Sequence, residues 1–88
     1  MKVYIELLND DLIIGLWSEQ DTPEVRGRIA SIEIALLRAY GRHVSYPRNV
    51  VEGEHLAIFR RPRSTDEHLD IAKQVLAGFK LVGESKNA

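Results

Sequence analysis

The amino-acid sequence predicts an α+β two-layer sandwich whose elements follow the order ββαββαβ. Three observations carry this reading. Two helices have both of their ends written into the sequence, strand-like sequence follows each of them, and the residues before the first helix alternate with the period of strands.

Val3, Ile5 and Leu7 alternate with Lys2, Tyr4 and Glu6, and Asn9-Asp10 supplies a turn before Leu12, Ile14 and Leu16 resume the pattern. A hairpin turning there sets Leu7 against Leu12, Ile5 against Ile14 and Val3 against Leu16. One register thus sends all six to the buried side and places Tyr4 across from Gly15. A polar stretch, residues 18–21, leads into the first helix. Thr22 is its N-cap and Pro23 its first helical residue, where the missing N–H costs nothing. Gly41 is its stop, expected in the left-handed conformation. At about 100° per residue, Val25, Ile29, Ile32, Leu36 and Tyr40 share the face that covers a sheet. A second stripe, Ala30, Ile34 and Leu37, lies on a different face, set apart from the first by Arg26 and Glu33.

Residues 44–51 and 55–61 read as a second hairpin around Glu52-Gly53-Glu54, with Pro47 confining the first of these strands to a sheet edge. The next helix starts with Ser64 and Glu67 at capping-box spacing and stops at Gly78. It buries Leu69, Ile71, Ala72, Val75 and Leu76. Residues 79–82 follow closely enough to form a last short strand. Residues 1–83 then make one domain and 84–88 a flexible tail. Strands interrupted by two helices on one side of a sheet point to a ferredoxin-like βαββαβ unit, or a close variant, with an extra N-terminal strand.

Composition sets the bounds on function. A chain of 88 residues can bury only about 60–65% of its unfolded surface, so its stability margin is thin. With 44% hydrophobic and 28% charged residues and a net charge of −1, it is neither a disordered acidic tail nor a strongly basic nucleic-acid binder. The absence of cysteine removes disulfides and thiolate metal ligands. No apolar run approaches the roughly 20 residues of a spanning helix, and the first residues lack the pattern of a secretion signal. A cytoplasmic protein without membrane association is expected.

Chemistry-bearing residues gather around the second hairpin. Arg42, His43, Arg48, Arg60, Arg61 and Arg63 form a basic set, with Tyr46 and Phe59 on the same two strands. A two-residue turn pairs Tyr46 with Phe59 and puts both rings and Arg48 on one face, as base stacking requires. A three-residue loop instead aligns Val44, Tyr46 and Val50 with Leu56 and Ile58 as core, which is the more coherent apolar face. His43, His55 and His68 lack metal-ligand spacing, so no metal is expected, and His68 reads as a half-buried core histidine. Asp66, Glu67 and Asp70 follow helix-start preference, no serine sits in a nucleophile elbow, and no glycine-rich phosphate loop is present. Neither catalysis nor a cofactor is therefore expected.

What remains is a small non-enzymatic binding or regulatory module acting through protein–protein contacts. It would work as a homo-oligomer or as an inhibitor or adaptor of a larger protein. Ala30, Ile34 and Leu37, rimmed by Glu33 and Arg38, are the candidate contact stripe, unless the second helix covers them. The alternative is an RNA- or DNA-binding domain using Arg48, Arg60, Arg61 and Arg63, which would also serve an acidic protein partner.

Overall fold

The computed structural model describes residues 1–41 and 55–83. Their elements are β1 (Lys2–Leu8), β2 (Asp11–Ser18), α1 (Pro23–Tyr40), β3 (His55–Arg61) and α2 (Asp66–Gly78). The three strands form an antiparallel sheet in the order β1-β2-β3, and both helices pack on one of its faces. The chain is thus a small α+β domain. The expected strand at 44–51 with Pro47, the loop at 52–54 and the tail at 84–88 lie outside the described residues.

The first hairpin has the predicted register. Leu7 pairs with Leu12, Ile5 with Ile14, Val3 with Leu16 and Tyr4 with Gly15. Asn9 and Asp10 both take positive φ, 51° and 65°, which is the two-residue turn whose twist matches that of the flanking strands. Asn and Asp tolerate it better than other non-glycine residues do.

Across β2, the partners on β3 are Arg61 for Leu12, Phe59 for Ile14 and Ala57 for Leu16. The helix-facing side of β3 therefore carries Phe59, which is 2% exposed, and not Ile58. The expectation that Ile58 is core is corrected. A period of two sends neighbouring residues to opposite faces, and the β2 register selects the odd positions. The core is Val3, Ile5, Leu12, Ile14, Leu16 and Phe59 from the sheet, closed by Ile32, Leu36 and Tyr40 of α1 and Ala72 and Leu76 of α2.

At the start of α1 the Thr22 hydroxyl accepts the Val25 N–H at 3.2 Å, with Pro23 next to it. Gly41 closes the helix by donating its N–H to the Leu37 carbonyl, as expected, but its backbone differs from a left-handed cap. With φ at 74° and ψ at −149°, it occupies a region open essentially only to glycine.

The two ends of α2 also depart from expectation. The N-cap is Thr65 rather than Ser64, and the box partner is His68 rather than Glu67: the Thr65 N–H donates to His68 Nδ1 at 3.0 Å. Ser64 is unavailable because it is buried and bonded elsewhere, its hydroxyl to the Arg61 carbonyl at 3.0 Å and its N–H to the Asp10 carbonyl at 2.6 Å. Gly78 is simply the last helical residue. The left-handed residue is Lys80, at φ 60°. Leu81 N–H returns to the Leu76 carbonyl at 3.0 Å and Lys80 N–H to that of Ala77 at 2.9 Å, the paired bonds of a Schellman motif. Residues 79–82, expected as a strand, therefore form the helix exit. Beside β2, the sheet position a last strand could have taken is held by β1.

Candidate functional site

On α1 the two stripes behave differently. Ile32, Leu36 and Tyr40 are buried and Val25 and Ile29 half-buried, whereas Ala30 is exposed, Ile34 is 50% exposed and Leu37 39% exposed. Although α1 and α2 touch, α2 does not cover the second stripe. Ile34 and Leu37 are three residues apart and so lie side by side on the helix surface, with Glu33 and Arg38 beside them. Removing the rest of their surface from water would contribute about 1 kcal/mol each.

The basic residues do not converge. Arg60 and Arg61 are consecutive on β3 and leave from opposite faces. Arg60 is held by Asp11 of β2, its Nε 2.9 Å from the carboxylate, with a second bond from its terminal nitrogen. Arg61 turns inward, its guanidinium 5.5 Å from the centre of the Tyr40 ring and one terminal nitrogen donating to the Ser64 hydroxyl at 3.1 Å. Its Nε is buried without a hydrogen-bond partner among the described residues. Arg63 is exposed at positive φ, 54°. Arg48, Arg42, His43 and Tyr46 lie outside the described residues. Phe59 is packed 5.9 Å from Tyr40 and presents no ring to a base.

Tyr40 ties this end of the molecule together. Its hydroxyl donates to the His68 carbonyl at 2.6 Å, joining the last turn of α1 to the first turn of α2. Burial pushes the Tyr40 phenol up to about 12, an effect that the Arg61 charge partly opposes. The group is a neutral donor at physiological pH and a structural one, since the bond it makes is to backbone. His68 is half-buried, and its Nδ1 is engaged by Thr65.

Two further surfaces are absent from the sequence reading. An open cleft of about 520 Å³ lies where the first residues, the end of β2 and the start of α1 meet, lined among others by Lys2, Trp17, Glu19, Glu24 and Arg28. Both signs of charge line it, and Arg28 already donates to the Phe79 carbonyl at 2.8 Å, so it does not converge on one ligand chemistry. The second surface is the sheet itself away from the helices, where Tyr4, Ile13, Trp17 and Ile58 are half-buried. Lys2 Nζ sits 5.1 Å from the Trp17 ring centre, and the Tyr4 ring lies over Gly15 so closely that a β-carbon there would fall 2.0 Å from Tyr4 Cζ. The signal was available: strand alternation names the outward residues, though not that they form a continuous face.

Among the described residues no group of three His, Cys, Asp or Glu could hold a metal ion, and no helix is long and apolar enough to cross a membrane. Comparison with protein-family models, with curated proteins and with solved structures finds no match.

Proposed function

We propose that the chain is a small non-enzymatic binding or regulatory module that acts in the cytoplasm through protein–protein contacts. It docks by the α1 face of Ala30, Ile34 and Leu37 onto a protein partner, either a larger protein that it inhibits or adapts, or another copy of itself. The observation that carries this reading is the exposure of Ile34 and Leu37, at 50% and 39%, next to each other on a helix whose other side buries Ile32, Leu36 and Tyr40 in the core. An apolar centre with charged neighbours is the composition of a contact patch. The nucleic-acid alternative draws less support, because Arg60 is engaged by Asp11 and Arg61 by Tyr40 and Ser64. A ferredoxin-like arrangement belongs to the same proposal: β2 and β3 pair antiparallel across the α1 connection, as the first and third strands of that unit do, with β1 on the far side of β2.

The double variant Ile34→Asp with Leu37→Lys tests the reading. Loss of α1-mediated assembly, or of a co-purifying protein, with an unchanged circular dichroism spectrum is the expected result. A variant that is folded and keeps its mass and its partner removes the α1 face from consideration. An unfolded chain assigns Ile34 and Leu37 to the core instead.

A further inference from the structure

Among the described residues β1 is an edge strand of the sheet. β1 runs seven residues, Lys2–Leu8, with an unbroken ladder to β2 on one side and no strand among the described residues on the other. Natural sheets blunt such edges with proline, bulges, short length or several charges, since the outward N–H and C=O groups otherwise recruit another strand. β1 has no proline and no bulge, and five of its seven residues are Val3, Tyr4, Ile5, Leu7 and Leu8. Its two charges, Lys2 and Glu6, have opposite sign and stand symmetrically two residues either side of Tyr4.

From this we infer that β1 is a self-pairing edge. Two copies of the chain join through it, antiparallel about a two-fold axis at Tyr4 perpendicular to the sheet, into one continuous sheet with all helices on the same side. Only this register puts Lys2 of each copy opposite Glu6 of the other, making two identical cross-strand ion pairs. It also sets Val3 against Ile5 of the second copy on the core side. Moving the axis to Ile5 opposes Glu6 with Tyr4 and Lys2 with Leu8, and moving it to Val3 leaves Glu6 beyond the pairing. The side chains on the helix-free face lean toward β2: the Tyr4 ring is laid over Gly15 and Lys2 Nζ sits over the Trp17 ring, from which it must swing to meet Glu6 of the second copy. On the core side Gly83 adjoins Ile5, so the second copy's Val3 must pack beside it.

Charge exchange across the axis provides the test. Sedimentation velocity on the full chain, over a rising concentration series at low salt, is expected to show a dimer. Lys2→Glu and Glu6→Lys each replace two attractive pairs with two repulsive ones and should weaken it about tenfold. The two changes together restore complementarity and should recover dimerisation. As a second measurement, Tyr4→Cys places two thiols at the axis of a chain that has no cysteine of its own, so mild oxidation should give a covalent dimer, while Leu8→Cys, which has no opposing residue in this register, should not. A chain that stays monomeric throughout overturns the inference. So does a dimer indifferent to both single charge reversals and not trapped at Tyr4. The Ile34→Asp, Leu37→Lys variant keeps this dimer, so failure of the α1 reading and failure of the β1 pairing are seen separately.

Discussion

Replacing Gly41 measures how much of the α1 exit rests on a backbone conformation closed to other residues. At φ 74° and ψ −149°, Gly41 lies well away from the left-handed helical region, so Asn, which usually substitutes for glycine at helix ends, has no advantage here. Nothing lies within 4 Å of the position that a β-carbon would take, so the penalty is conformational and not a clash. A residue with a side chain held in this region costs about 1–3 kcal/mol. For a chain of this length each kcal/mol moves the midpoint of thermal unfolding by about 4–8 °C, so a penalty of about 2 kcal/mol lowers Tm by roughly 10 °C. Gly41→Ala, Gly41→Asn and Gly41→Val should therefore all be destabilised by similar amounts, measured by thermal melts followed at 222 nm and by urea titration. An ordinary left-handed cap would instead spare Asn selectively. Asn close to wild type, with Ala and Val low, would refute the reasoning, and three neutral variants would show that the cap contributes nothing.

Two other substitutions bear on the α2 side of the molecule. Lys80→Gly relieves a left-handed lysine at the Schellman position and should stabilise the chain by about 0.5–1 kcal/mol, read as a higher Tm; a lower one would contradict the assignment of the α2 exit. Tyr40→Phe removes the bond to the His68 carbonyl and should cost about 1 kcal/mol at neutral pH. Because the Tyr40 phenol is raised to about 12 in the fold against about 10 in the unfolded chain, the unfolded state loses its proton first. The Tyr40 contribution is thus complete below pH 10 and is lost as pH rises through 12. Urea midpoints between pH 9 and 12 should fall more steeply in the wild type than in Tyr40→Phe; parallel curves would show that the phenol does not differ between the two states.

Much of what a few neighbouring residues govern was legible in the sequence, although the backbone of Gly41 and the left-handed exit at Lys80 were not. The β1–β2 register followed from alternation plus a turn pair that tolerates positive φ, and the start of α1 from Thr22-Pro23, because capping and turn geometry involve atoms within a few residues of one another. The second apolar stripe of α1 was legible as a periodicity, and so were Lys2, Tyr4 and Glu6 as the outward side of β1. Whether those surfaces are covered was not. Exposure of Ile34 and Leu37 depends on where α2 comes to rest, and the availability of the β1 edge on which strand lies beside β2. The α2 cap moved from Ser64 to Thr65 for a reason of the same kind: the Asp10 turn, distant in sequence, binds Ser64 first and draws it into the interior. Residues 79–82 carry a strand-like composition, yet the backbone N–H groups of Lys80 and Leu81 bond back onto Ala77 and Leu76, and this local bonding decides their path. Propensity and capping act over one or two turns and are written in the chain; the choice of which edge and which face finds a partner is made only when distant segments meet.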